Sequence, residues 1–145
     1  MNSYSFKAKN SDEMVKLGGE VAKIVMQNPA ILFLEGDLGA GKTTLTQGIA
    51  QSLGINEEIT SPSFVINKKY YREEKPILSH YDFYRLENNV GIMKDELSED
   101  VSSGALVVIE WGHEIDEILP EKYWKARLTQ DEKGDRDIEL MEIKK

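Results

Sequence analysis

The chain has 145 residues and no cysteine, which excludes disulfides and cysteine-ligated metals, and its two histidines are too few to suggest a structural zinc site. With 26 acids against 18 bases, a net charge of −8 and a pI near 4.8, it does not attract nucleic acid by bulk electrostatics, so direct binding of RNA or DNA is not expected. A chain this long buries roughly 70% of the surface its unfolded form exposes, and one domain over residues 1–145 is the expectation.

The opening "MNSYSFKAKNSDEM" lacks the apolar core of a signal peptide, and no apolar run approaches the roughly 18 residues of a membrane span; a soluble cytoplasmic protein is expected. The first predicted element is a helix over "NSDEMVKLGGEVAKIVMQNP". Met14, Leu17, Val21, Ile24 and Val25 recur at helical spacing, Asn10 and Glu13 suit a capping box, and Pro29 ends the segment. "AILFLEG" is a short continuous apolar run, the pattern of a strand covered on both faces. "KTTLTQGIAQSLG" from Lys42 is a second helix, burying Leu45, Ile49 and Leu53 and closing at Gly54.

The middle of the chain changes character. "SPSFVINKKYY" and "PILSHYDFYRL" suit strands, and the charged turn "REEKP" between them predicts an antiparallel pair. "ENNVGIMKDELSED" is weakly helical, "ALVVIEW" is a second buried apolar strand, and "EIDEILP" suits one or two helical turns. "KYWKARLTQDEKGDRDIELMEI" closes the chain as a hairpin turning near Gly134. The order predicts an α/β layer with antiparallel strands added.

One motif carries chemistry. Gly36-Asp37-Leu38-Gly39-Ala40-Gly41-Lys42-Thr43 satisfies G-x-x-x-x-G-K-[ST], with an apolar strand before it and a helix after. Gly36, Gly39 and Gly41 let the backbone turn its N–H groups inward as an anion nest at a helix N-terminus. Lys42 is placed for the β- and γ-phosphates, and the Thr43 hydroxyl for Mg²⁺. Such a loop needs a second anchor for the metal, an acid ending a neighbouring parallel strand. Glu110, at the end of "ALVVIE", is the candidate; the plainer reading is a surface acid.

The next residue is Trp111, where many vigorous ATPases have a second carboxylate that activates water. Either another residue orients the water or hydrolysis is slow. Trp111 itself reads as a packing residue, a contact near the nucleotide or an exposed partner surface. In "HYDFYRL", strand alternation puts His80, Asp82 and Tyr84 on one face, with Tyr81, Phe83 and Arg85 on the other. Asp82 then either serves a metal-bound or attacking water or sits in a salt bridge; His80 reads as a hydrogen-bonded structural residue; Arg85 pairs with phosphate or is surface. "ITSPSF", with Thr60, Ser61 and Ser63, is either a switch loop over the γ-phosphate or a proline turn into a strand.

"NKKY" at 67–70 lacks the aspartate of the guanine-selecting N-K-x-D, so ATP is the default nucleotide. A small-molecule kinase is the alternative, but four scattered arginines (Arg72, Arg85, Arg127 and Arg136) and no segment long enough for a lid argue against it. A binding module that never hydrolyses fits Thr43, Asp82 and Glu110 less well.

"GDLGAGKTT", "SPSF", "HYDFYRL" and "VVIEW", in that order in a chain of this length, resemble the TsaE (YjeE) family, from about Asn10 to the C-terminal strands. The resemblance implies a P-loop NTPase fold, with a central, mainly parallel sheet flanked by helices, and ATP with Mg²⁺ at the loop. It implies a weak ATPase that supports TsaD and TsaB, the pair that forms N6-threonylcarbamoyladenosine (t6A) at position 37 of tRNAs reading ANN codons. By motif, it assigns Asp37 through Thr44 to the nucleotide, Lys42 to phosphate, Thr43 and Glu110 to the metal, and Asp82 to metal or water. Ser11 and Arg136 fall where the family contacts nucleotide. Ser63 stands where threonine is more usual, and stretch 87–100 departs most from the family. The implied partners also account for the short chain, since the substrate then sits on another protein.

Overall fold

A computed structural model describes residues 2–26, 30–37, 39–59, 67–82, 90–110 and 119–145, with the backbone alone at 90–93. Leu38, the "ITSPSF" hydroxyls Thr60, Ser61 and Ser63, and Phe83, Tyr84, Arg85 and Trp111 fall outside these residues. So do Pro29, residues 87–89 and most of "EIDEILP".

The chain opens with a strand absent from the sequence reading, β1 (Ser3–Ala8), in which Tyr4, Phe6 and Ala8 alternate with polar residues. Helix α1 (Ser11–Val25) follows and buries Met14, Gly18, Val21, Ala22 and Val25 along one face. Strand β2 (Ile31–Gly36) is buried over its first four residues and leads through the glycine-rich loop into α2 (Lys42–Ser52).

Strands β3 (Asn67–Arg72) and β4 (Lys75–Asp82) form the expected antiparallel pair. The two residues between them, Glu73 and Glu74, both have positive φ (51° and 67°), as a two-residue hairpin turn of the primed type demands. The weakly helical stretch is α3 (Val90–Ser102). The second apolar run is β5 (Leu106–Glu110), and β6 (Lys122–Gln130) pairs with β7 (Arg136–Lys144) in the C-terminal hairpin.

These strands make one sheet in the order β1-β7-β6-β2-β5-β4-β3. The middle four, β6, β2, β5 and β4, are parallel, and antiparallel strands flank them on both sides. The parallel strands have to be apolar on both faces because helices cover both. On one face Leu32, Leu34, Leu106, Val108 and Leu128 pack with Val21, Leu45 and Ile49 of α1 and α2. On the other, Phe33, Val107, Ile109 and Tyr81 pack with Leu97 of α3. Burying a side chain such as Leu34 contributes about 1.5–3 kcal/mol. An exposed ion pair such as Lys7–Asp137 contributes at most about 1 kcal/mol, so the core, not the surface charge, sets the frame.

α1 and α2 approach each other through glycine. A Cβ at Gly48 would lie 2.0 Å from the carbonyl oxygen of Val15, and one at Gly18 would lie 2.4 Å from that of Leu45. This contact holds the start of α1 beside the start of α2.

Candidate functional site

β2 has β5 on one side and β6 on the other, so chain order reverses across it, and the loop at its carboxyl end opens into the crevice where α/β sheets bind ligands. Gly39 (φ 83°) and Gly41 (φ 102°) take left-handed conformations there, which side chains with a Cβ rarely adopt. Gly41 is also the N-cap of α2 and makes no side-chain cap, and the first turn of α2 contains no acid. The first N–H groups of α2 are therefore left for something other than a capping side chain. Ala40 is buried, Asp37 and Gly39 are exposed, and Lys42, Thr43 and Thr44 are half-buried. The Lys42 ammonium donates to the carbonyl of Gly36 at 2.8 Å, which folds its side chain over the loop.

The two acids come from neighbouring strands. Asp82 is in register with Glu110 between parallel β4 and β5, and Glu110 is in register with Leu34, two residues before Gly36. Residues in register share a face of a parallel sheet, and Leu34 belongs to the α1–α2 core. Asp82 and Glu110 therefore lie side by side on the face that carries the glycine-rich loop. Glu110 is nearly buried, and its Oε2 lies 2.8 Å from Nε2 of the fully buried His80.

Ser11 and Arg136 meet elsewhere on the loop. A cavity of about 230 Å³ is lined by Asn10, Ser11 and Met14 from the start of α1, by Gly39, Gly41 and Thr44, and by Arg136, which opens β7 just after the β6–β7 turn. The Arg136 guanidinium donates to the carbonyl of Gly39 at 3.1 Å, tying that turn to the loop. Ser11, Gly39, Gly41, Thr44 and Arg136 thus surround one cavity, while Asp82 and Glu110 stand on the neighbouring strands.

Side-chain pairs brace the strands on the face opposite α1 and α2. Partial burial works against the charge of Glu35, but the bond from Arg127 (2.9 Å) and the nearby Lys125 overcome it and hold the carboxyl below its ordinary range. On the α3 face, the buried Asp100 accepts hydrogen bonds from Ser79 (2.7 Å) and from the Tyr81 phenol, and pairs with Lys69 at 3.1 Å. Burial and the Asp100 carboxylate push the Tyr81 phenol far above its usual range. Burial also works against Lys69, yet Asp100 and Glu96 hold its pKa above the ordinary value. The Asp100 cluster and the His80–Glu110 contact are absent from the sequence reading. The hint was His80 within "ILSHYD", read as a hydrogen-bonded structural residue without a named partner.

The oxygen donors here suit a hard cation. Among the described residues, no group of three or more His, Cys, Asp or Glu gathers at one point. A hydroxyl and one or two carboxylates are a set that Mg²⁺ accepts when a nucleotide's phosphates and water complete its shell. Thr43, Glu110 and Asp82 would supply such a set.

The model of the family described as threonylcarbamoyl adenosine biosynthesis protein TsaE matches residues 8–138 of the chain. The chain belongs to the TsaE family. A Streptomyces coelicolor protein named tRNA threonylcarbamoyladenosine biosynthesis protein TsaE is 40% identical over 119 residues, 81% of this chain and 79% of that one. A Bacillus subtilis protein of the same name is 39% identical over 110 residues, 76% of this chain and 66% of its own length. The crystal structure of Bacillus subtilis YdiB superposes with a TM-score of 0.74 at 29% identity, covering 99% of this chain and 87% of that one. The TsaE resemblance read from "GDLGAGKTT" and "VVIEW" therefore stands, and so does the mainly parallel α/β sheet. Among the described residues, no helix is long and apolar enough to cross a membrane.

Proposed function

We propose that this TsaE-family chain is a single-domain, cytoplasmic ATPase that binds ATP with Mg²⁺ and hydrolyses it slowly. Its turnover supports the TsaB–TsaD pair in forming N6-threonylcarbamoyladenosine at position 37 of ANN-decoding tRNAs. The observation that carries this reading is the uncapped, acid-free N-terminus of α2. Gly39 and Gly41 present it at the carboxyl end of β2, and two carboxylates stand in register on the same face of the sheet.

In this reading the α2 N–H groups and Lys42 bind the β- and γ-phosphates. Lys42 exchanges its bond to the Gly36 carbonyl for phosphate oxygen. Thr43 and Glu110 hold the metal, and Asp82 orients a water at the metal or beside the γ-phosphate. Held by Thr43 and Glu110, Mg²⁺ would offset the charge that develops on the phosphate oxygens. Ser11 and Arg136, on the cavity rim, contact the part of the nucleotide beyond the phosphates. The names of the relatives support the pathway. The charge of −8 supports leaving the tRNA to the partners.

Steady-state Mg²⁺-ATP hydrolysis tests the proposal, with the chain alone and with the TsaB–TsaD pair, and Lys42→Ala as blank. Slow turnover that rises with the pair is the expected result. Brisk turnover that ignores the pair overturns the partner-coupled reading.

A further inference from the structure

Glu110 is held differently from Glu35, a paired carboxylate at the entry to the loop. Glu35 faces two cations, Arg127 at 2.9 Å and Lys125 at 3.4 Å. Glu110 instead faces His80, at 2.8 Å, with both side chains buried. The other ring nitrogen of His80, Nδ1, is buried without a hydrogen-bond partner among the described residues. That orphan decides what kind of partner His80 is. With the proton on Nε2, the ring donates to Glu110 and leaves only a lone pair unmatched at Nδ1. A proton on Nδ1 would bury a donor with no acceptor among the described residues, the costlier arrangement.

We infer that His80 is a positioning residue for Glu110: its Nε2 donates to Oε2 and fixes the carboxylate, leaving the second oxygen to face a divalent cation. A metal-binding carboxylate with its own hydrogen-bonding partner is the general arrangement by which protein side chains orient ligands.

The fold fixes His80 in this role. It pairs with Val108 in the β4–β5 register, one pleat before Asp82 and Glu110, so its ring lies on their face of the sheet. Its neighbours Ser79 and Tyr81 point the other way and are tied to Asp100 of α3, which prevents β4 from rolling. The ring is fully buried, so it acts through Glu110 and not on a ligand.

This inference rests on the proposal that Glu110 serves Mg²⁺, and the test separates the two. Binding of a fluorescent ATP analogue is measured across a Mg²⁺ series for the wild-type chain, His80→Asn, His80→Gln and Glu110→Gln. Melting temperature is recorded for each. Asparagine and glutamine are both neutral amides, but only the longer one places its N–H where Nε2 stands. His80→Asn is expected to raise the Mg²⁺ concentration needed for half-maximal binding on the order of tenfold, with Mg²⁺-free affinity unchanged, and His80→Gln to recover most of it. A purely structural histidine would shift both variants together. Equal Mg²⁺ responses in the two amide variants, while Glu110→Gln shifts its own, overturn the role of His80 and leave the metal site standing. A Glu110→Gln response identical to wild type removes the metal site, and the inference with it. Should His80→Asn fail to fold, His80→Leu takes its place as the variant without a donor.

Discussion

Helix α1 begins at Asn10, whose side chain accepts from the Glu13 N–H at 2.9 Å, with Asp12 and Glu13 in its first turn. The Glu13 carboxylate reaches back to the Lys9 N–H at 2.8 Å, completing a capping box shifted by one residue. Helix α2 begins at Gly41, with no side-chain cap and no acid in its first turn, although both starts line the same cavity. A cap stabilises a helix by about 0.5–2 kcal/mol, and acids in the first turn add about 0.3–1 kcal/mol. α1 takes both contributions from its own sequence and α2 takes neither. The difference separates a terminus built for stability from one whose donors face the place where the proposed phosphates sit.

Removing the contact that brings the two starts together is the strongest way to break this pairing. Gly48→Ala would push a methyl into the Val15 backbone, which neither helix can yield without separating. Overpacking of this kind costs about 3 kcal/mol, a fall in Tm on the order of 10 °C for a chain of this size. Thermal unfolding followed by circular dichroism checks it. An unchanged Tm would mean that the helices do not depend on this close approach.

Next in size is to make α2 begin as α1 does. Thr44→Glu adds an acid to the first turn of α2, on the cavity wall. Stability is expected to hold or rise by a few tenths of a kcal/mol. Nucleotide affinity is expected to fall on the order of tenfold through repulsion of the phosphates. Isothermal titration and a melting curve on the same sample separate the two effects. Loss of stability with affinity intact would invert the contrast.

How much of this was legible before the fold depended on the range of the interaction. The α1 cap, the glycine-rich loop and the β3–β4 turn depend on residues within a few positions of one another, and Asn10, Gly41 and "REEKP" announced them. β1 was missed: Tyr4, Phe6 and Ala8 alternate over only six residues, and the strand exists because β7 supplies its partners from the far end of the chain. The His80–Glu110 contact spans thirty residues and needs the parallel register of β4 and β5, which no local pattern encodes. The cavity combines the start of α1, the loop and Arg136 for the same reason. Its lining by Asn10 and Met14 follows from the Gly18–Gly48 contact, invisible as two glycines in otherwise ordinary helices.

A smaller change removes the cap that α1 has. Asn10→Ala is expected to cost about 1 kcal/mol, a fall in Tm of roughly 2–4 °C. Urea unfolding measures it through the midpoint, with the slope unchanged because no surface is newly exposed. Asn10 also faces the cavity, so affinity is measured alongside. A variant that lost affinity and kept its stability would make Asn10 a ligand contact rather than a cap.

The smallest expected effect concerns the strand that delivers the loop to α2. Glu35, just before Gly36, has its carboxyl held below the ordinary value of 4.5 by Arg127 and Lys125, which outweigh its partial burial. Because the folded form binds its proton less readily than the unfolded chain, the pairing stabilises the fold above the ordinary glutamate range. That contribution disappears as pH falls through the lowered value. Both partners are partly exposed, so it amounts to at most about 1 kcal/mol. Chemical denaturation of wild type and Glu35→Gln should therefore give a small gap at neutral pH that closes below 4.5. Nucleotide affinity at neutral pH should stay the same in both. A gap that persists in acid would show that Glu35 acts through packing instead of charge. The entry to α2 would then be held as the start of α1 is, by local geometry rather than by ions across the sheet.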